Sequence, residues 1–596
     1  MELYYTSEKN AQIVISLLKA HNIKKIVASP GTTNICLVAS LQHDSFFEIY
    51  SAPEERSAGY IACGLAAESG EPVVITCTGA TASRNYLPAL TEAYYRKLPI
   101  LAITCSRRSS RIGHNYDQVT DRSVLPKDAA KISVQVPLVH DSESEWANII
   151  AVNKAILELN HHGTGPVHIN LETDYCTDYS TRELPDYQRI HRFSEDNVLP
   201  SIKGNKVGIF VGAHRKWSNS LTHLVELFCE KYNGVVFCDH ISNYKGKYGI
   251  EANLMGQQTL NKSIVCEQID LLIYIGDVFA PMYTFNALDV WRVNPDGELR
   301  DPFRKLSAVF EMSEEKFFRL YTSNDIEINT NFWKACKAEY DSVLNKALER
   351  INELPFSNAW MASQTSERLP HNSVLHFGIQ NSLRFWNFFP VPESVCCFCN
   401  TGGFGIDGSI SSIIGASLYD KDKLYFCVLG DLAFFYDMNS LGNRHIGNNL
   451  RILLVNNGKG TEFKLSGNPG SRFGADGDLY IAAAGHYGNK SKSLVKHFAE
   501  DLGFLYISAS TKEEYMKNVD RFISDKSTDN SIIFEVFTNS EDEDDALNRL
   551  REMKVNESLA AERKMKKALR TIIGENGINN VKRIIGYNKF SGGDNK

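Results

Sequence analysis

Two apolar runs that each stop at oxygen-bearing residues constrain this chain most. Leu424 to Leu429 ends at Gly430-Asp431, and Ile452 to Val455 ends at Asn456-Asn457-Gly458-Lys459-Gly460. Runs of this kind predict buried strands of a parallel sheet. Ligands of open parallel sheets bind at the carboxyl ends of strands. Asp431 and Asn457 are therefore expected to face one site from two strand ends. A carboxylate, an amide oxygen and a nearby backbone carbonyl are hard oxygen donors that suit Mg2+ holding a diphosphate. The residues after Asp431 are expected to begin a helix, whose N-terminus favours phosphate oxygens.

The chain has 596 residues, room for about three or four domains of ~150 residues each. Hydrophobic content of 43% and charged content of 23% are those of a globular protein. A net charge of −7 argues against nucleic-acid or membrane-surface partners. Thirteen cysteines without framework spacing suggest a reduced, cytoplasmic protein. Glu2, Glu8 and Lys9 interrupt the first twenty residues, so no secretory leader is expected. No apolar run reaches the ~20 residues that a membrane-spanning helix needs.

Strand and helix patterns alternate through most of the chain, predicting an α/β fold of three doubly wound parallel-sheet domains. The first, residues 1–180, has strands at Ile26–Ser29, Phe46–Ser51, Pro72–Cys77, Leu98–Thr104 and Val167–Leu171. Its first helix has Thr6 and Ser7 as capping candidates. Residues 181–195, with Pro185, read as a linker. A central domain over 196–355 has strands at Val207–Gly212, Val235–Phe237, Leu271–Gly276 and Leu306–Met312. The third, 370–545, has strands at Val395–Cys399, Leu424–Leu429, Ile452–Val455 and Ile532–Val536. The acidic run 541–545 closes it. Residues 546–596 form a tail, with ten Lys/Arg against four Asp/Glu over 554–596 and helical patterns at Ala560–Ile573 and Asn580–Ile585.

A second cluster follows the strand Phe46–Ser51: Glu54-Glu55-Arg56-Ser57-Ala58. Glutamates at a helix start commonly just complement the helix dipole, but here they stand in a larger pattern. Pro30-Gly31, Glu55, Thr78-Gly79-Ala80-Thr81-Ala82, Asn85-Tyr86-x-Pro88-Ala89 and Thr104-x-x-Arg107 come in one order. Asn381-Ser382-Leu383, Asn400-x-Gly402, Gly405-Ile406-Asp407-Gly408 and Gly430-Asp431-Leu432 follow, and Asn457 lies 26 positions after Asp431. Together they resemble the thiamine-diphosphate enzymes. The strongest resemblance is to the 2-succinyl-5-enolpyruvyl-6-hydroxy-3-cyclohexene-1-carboxylate synthase family, over about residues 1–545. The outer domains carry it, the middle weakly, the tail not at all.

The resemblance implies a thiamine-diphosphate and Mg2+ enzyme. It would decarboxylate a small 2-oxo acid and pass the acyl unit to an acceptor. It implies that Glu55 hydrogen-bonds the aminopyrimidine ring and favours the imino tautomer that takes the thiazolium C2 proton. Ile406 matches the apolar residue that props the cofactor into its bent shape. Asp431, Asn457 and the Lys459 carbonyl match the metal ligands. Pro30, Gly31, Thr81, Asn85, Ser382, Gly405, Gly430, Leu432, Ala433 and Gly460 complete the implied cofactor site, and Gln118 and Arg107 match polar groups near the substrate. A homodimer or homotetramer with shared active sites is implied, with the first domain of one subunit meeting the third of another.

Departures concern the substrate. Thr33, Trp386 and Thr401 stand where that family has arginines for substrate carboxylates. Neither Thr nor Trp replaces bidentate recognition by a guanidinium, which argues against that family's own reaction. Glu462 stands where the family has an aliphatic residue, and reads equally as a new acid–base group or as an exposed loop residue. His114, beside Gln118, is a further proton-transfer candidate. Arg84, Arg108, Arg111 and Lys464 read as surface residues or as anion contacts, and Gly467-Asn468-Pro469-Gly470 as a mobile loop. Other readings are a non-transferring decarboxylase, a flavin-carrying acetolactate-synthase-like protein, or a non-catalytic cofactor-binding paralogue whose tail recruits a partner.

Overall fold

The computed structural model describes residues 4–554 except 260–262, 265–266, 280–282, 324–326, 487–489 and 527. The helical patterns expected beyond residue 554 lie outside the described residues. The chain divides into two compact units. One holds residues up to 200 with 289–312, the other 201–288 with 313 onward.

The first unit carries a six-stranded parallel sheet of β1 (Lys25–Ala28), β2 (Glu48–Ser51), β3 (Val73–Thr78), β4 (Ile100–Ser106), β5 (Ser133–Val136) and β6 (Val167–Glu172). Its order is β2-β1-β3-β4-β6-β5. β4 and β6 are buried at every residue, as expected of parallel strands covered on both faces. The first helix, Lys9–Ala20, starts at Glu8 without a side-chain cap. Thr6 instead accepts the Glu8 N–H just outside the helix.

The middle of the chain supplies β7 (His191–Phe193), β8 (Val207–Val211), β9 (Gly234–Cys238), β10 (Gly249–Glu251), β11 (Gln268–Ile275), β12 (Asn286–Val293) and β13 (Leu306–Phe310). Within the first unit β13 pairs in parallel with β7, and in the second the order is β10-β9-β8-β11. The stretch read as a linker is thus structured. It contains β7, and Ser16 Oγ donates to the Pro185 carbonyl at 2.9 Å. Sequence pattern missed β7 and β10, where three residues carry no measurable period, and also β5, β12 and the strands Val374–Phe377 and Leu505–Ala509 of the last sheet.

The last sheet holds β14 (Val374–Phe377), β15 (Cys396–Cys399), β16 (Tyr425–Gly430), β17 (Leu450–Asn456), β18 (Leu505–Ala509) and β19 (Ile532–Phe537). Its order, β15-β14-β16-β17-β19-β18, repeats that of the first sheet strand for strand. All pairings in both six-stranded sheets are parallel. In each, the direction of winding reverses beside the first strand, at β1/β3 and at β14/β16, where doubly wound sheets open a crevice.

The acidic run opens a helix, Ser540–Leu550, capped by the Asn539 side chain. Acidic residues in a first turn complement the helix dipole. Glu543 is the exception. It is buried, accepts the Asn358 N–H and the Thr538 hydroxyl, and burial pushes its carboxyl up to about 7.

Candidate active site

In the last sheet Gly430 lies opposite Val455, so β16 and β17 end within one residue of each other at the same end of the sheet. Asp431 follows β16 as the first residue of the helix Asp431–Asp437, and Asn457 follows β17. The Asp431 carboxylate is 4% exposed. It accepts the Leu432 N–H at 2.8 Å and, across the strand ends, the Gly458 N–H at 2.7 Å. Burial pushes the carboxyl up to about 7 against the pull of those two amides. Gly458 makes the turn at φ 78, a conformation that favours glycine.

Asn457 Oδ1 is buried and accepts no hydrogen bond. An orphaned buried acceptor costs about 1–3 kcal/mol, and a cation beside it removes that cost. A buried carboxylate and an unpaired amide oxygen at neighbouring strand ends therefore fit Mg2+. Lys459 directs its ammonium to Asp478 at 2.9 Å. Behind the pair, Asn456 Nδ2 donates to Glu535 at 2.7 Å, and the Tyr506 hydroxyl donates to the same carboxylate at 2.8 Å. Gly460 sits close to Phe463 and Leu432 and donates its N–H to Ala482 O. Ala433 is buried, and a Cβ added at Gly430 would meet open space.

Ser382, in the short helix Asn381–Trp386 that follows the loop after β14, is 3% exposed. Gly378 leads into that loop and must be small, because an added Cβ would lie 3.0 Å from Leu429 Cβ. Gln380 and Phe404 hold φ values of 69 and 55 in the loops after β14 and β15, and backbone strain of this kind gathers at functional sites. Ile406 is half-buried and packs on the core of this sheet. Gly405 faces Asp407 Oδ1, which a Cβ would approach to 2.4 Å.

The first unit carries its own group of the expected residues. Glu54 caps the helix Glu55–Ser69, accepting the Arg56 and Ser57 N–H groups. Glu55 is thus released from capping, and its carboxylate accepts from Asn85 Nδ2 at 3.3 Å. The helix Leu87–Arg96 comes close because a Cβ on Gly59 would lie 2.5 Å from Ala89 Cβ. Gly31, beside Pro30, allows the same approach to Thr78 across the ends of β1 and β3. Ala80, at φ 58, turns the chain into the short helix that Thr81 begins.

The three residues at the expected arginine positions are all buried. Thr33 is 2% exposed, donates to the Cys105 carbonyl at 2.7 Å and bonds the Thr78 hydroxyl. Thr401 is 5% exposed. Trp386 is 1% exposed and gives its indole N–H to Asn358 Oδ1 at 3.0 Å. Two positions earlier, Arg384 is 8% exposed and grips Glu462 with both terminal nitrogens, at 2.6 and 3.1 Å. Sequence reading overlooked Arg384. An arginine inside Leu383-Arg384-Phe385-Trp386 is the available signal, because such neighbours bury it and a buried guanidinium demands a partner. Glu462 is accordingly an ion-pair partner and only partly exposed.

Arg107 donates to both oxygens of Asp117, at 2.7 and 3.1 Å, and stacks on Tyr175. His114 and Gln118 are exposed, with Gln118 at φ 56. Arg84 donates to the Asp121 carbonyl, Arg108 pairs with Asp174, Arg111 lies over Tyr116, and Lys464 reaches Asp478. Gly470, in the segment expected to be mobile, is buried against Phe463.

Residues 8–125 match the thiamine pyrophosphate enzyme N-terminal TPP binding domain. The 2-succinyl-5-enolpyruvyl-6-hydroxy-3-cyclohexene-1-carboxylate synthase of Bacteroides fragilis is 31% identical over 560 residues, 90% of this chain and 97% of that protein. The synthase of Bacteroides thetaiotaomicron is 31% identical over 562 residues, with the same shares of each chain. That of Flavobacterium johnsoniae is 27% identical, over 89% of this chain and 96% of its own. With the paired parallel sheets and the Asp431–Asn457 strand ends, these likenesses place the chain: it belongs to the thiamine pyrophosphate enzymes, in the family of the 2-succinyl-5-enolpyruvyl-6-hydroxy-3-cyclohexene-1-carboxylate synthases.

Proposed function

We propose that this protein is a thiamine-diphosphate- and Mg2+-dependent carboligase that decarboxylates a 2-oxo acid and transfers the acyl unit to an acceptor, with a donor or acceptor unlike that of its named relatives. Bound thiamine diphosphate supplies an electron sink for the carbon–carbon bond that breaks as CO2 leaves. Asp431, the unpaired Asn457 Oδ1 and the Lys459 carbonyl would hold the metal, and Glu55 would accept a hydrogen bond from the pyrimidine ring. Half-buried Ile406 would give the cofactor an apolar wall.

One observation carries the change of substrate. The arginines left near the expected substrate positions, Arg384 and Arg107, are each held by both oxygens of a carboxylate of this chain. A guanidinium whose fork is filled has little left for a substrate carboxylate.

A homodimer or homotetramer with shared sites is part of the proposal. Large exposed apolar side chains support it, Tyr60 and Ile61 at 47% and 46% on the helix that Glu55 begins, and Phe473 at 57% in the segment Pro469–Gly477. Among the described residues no helix is long and apolar enough to cross a membrane.

The test is CO2 release from a panel of 2-oxo acids with thiamine diphosphate and Mg2+, each with and without candidate acceptors. Release that rises with an acceptor is expected. Equal release without any acceptor would make the protein a simple decarboxylase. Fastest turnover with 2-oxoglutarate and isochorismate would overturn the change of substrate.

A further inference from the structure

In the first unit, the loop after the helix Ser142–Glu158 and the residue following β13 bring two imidazoles onto one carboxylate. His162 Nε2 lies 2.6 Å from one oxygen of Glu311, and His161 Nε2 lies 3.2 Å from the other. The two rings stack with centroids 3.8 Å apart. The three ligand atoms all lie within 4.8 Å of one another.

The orientation of His161 is what points to a metal. Its side chain is 7% exposed, and its buried Nε2 makes no hydrogen bond. Its other nitrogen, Nδ1, lies 2.7 Å from Glu158 Oε1, which Arg192 also engages at 3.0 Å. A histidine that gives its Nδ1 proton to a carboxylate presents an Nε2 lone pair, the arrangement that second-shell carboxylates impose on metal-binding imidazoles. In that tautomer the lone pair faces Glu311. A lone pair and an anion at 3.2 Å repel each other unless a cation stands between or beside them.

We infer that His161, His162 and Glu311 form a divalent transition-metal site of the Zn2+ type, separate from the one at Asp431 and Asn457. Two imidazoles and one carboxylate are a Zn2+ donor set, with a fourth position for water or another ligand. Tetrahedral Zn2+ with bonds of about 2.0–2.1 Å separates its ligand atoms by roughly 3.3 Å. His161 Nε2 already stands at that distance from one carboxylate oxygen. His162 contacts the other oxygen, and the three ligand atoms lie within 4.8 Å of one another, so His162, whose side chain is 70% exposed, must shift to close on the same metal. A cavity of about 800 Å3, lined among others by His21, Arg189 and Arg192, opens beside the three ligands and leaves room at the fourth position. Loaded, the site would tie the loop after Glu158 to the end of β13.

The test uses tag-free full-length protein saturated with thiamine diphosphate and Mg2+, so that the diphosphate site is filled. The protein is stripped of transition metals and titrated with Zn2+ alone. One Zn2+ per chain is expected, with a rise in Tm. Co2+ should give the visible absorption of a low-symmetry N/O site. His162→Ala, at an exposed side chain, should fold normally and lose the Zn2+ and the rise in Tm. Glu158→Gln should weaken Zn2+ by about 10–100-fold. No uptake by the wild type would overturn the site. Equal uptake by wild type and His162→Ala would overturn it too, placing the Zn2+ elsewhere.

Discussion

Arg384 donates to both oxygens of Glu462, at 2.6 and 3.1 Å, from a side chain that is 8% exposed. Its third contact, Asn381 Oδ1 at 2.7 Å, is neutral. Glu462 is thus the charge partner of a buried cation. Glu462→Ala should destabilise the protein by about 2–3 kcal/mol, read as a lower denaturation midpoint with unchanged slope. The same variant frees the guanidinium fork, so a donor with a second carboxylate should gain in kcat/KM relative to pyruvate. An unchanged donor ratio would separate Arg384 from substrate recognition.

Asn457→Ala separates metal binding from folding. Because Asn457 Oδ1 has no partner in the protein, its removal should leave the metal-free protein as stable as wild type, or more so by up to about 1–3 kcal/mol. The Tm increase that Mg2+ with thiamine diphosphate gives the wild type should disappear. A strongly destabilised metal-free variant would show that the amide serves the fold.

Glu55→Gln tests the expected residues of the first unit. Glu54 does the capping, so the helix should be unaffected. Mg2+-dependent diphosphate binding should persist while CO2 release falls by at least about 10²-fold. Turnover within a factor of three of wild type would remove Glu55 from the chemistry.

Glu543 carries a pH signature. Burial raises its carboxyl from the usual 4.5 to about 7 in the folded chain. The folded state therefore holds a proton that the unfolded state has lost between those values. Its stabilising effect is complete below about pH 4.5 and is lost as pH rises through 7. The swing is on the order of 3 kcal/mol. Glu543→Gln should flatten the fall in stability between pH 5 and 7.5, as measured by urea unfolding across that range. The same slope in both proteins would assign the effect to other carboxyls.

The doubly wound sheets and the strand-end residues were legible in the sequence because buried parallel strands are written as unbroken apolar runs. Leu424–Leu429 and Ile452–Val455 are of that kind, and Asp431 and Asn457 stand where the runs stop. Local chemistry also marked Glu55, next to the glutamate that caps its helix. The three-residue strands were too short to show a period. The partners were beyond reach because they are far apart in the chain. Arg384 meets Glu462 across 78 positions, and His162 meets Glu311 across 149. A charged residue looks the same in sequence whether water or a distant carboxylate satisfies it. Only the folded chain, which buries one member of such a pair, decides that the other must come to it.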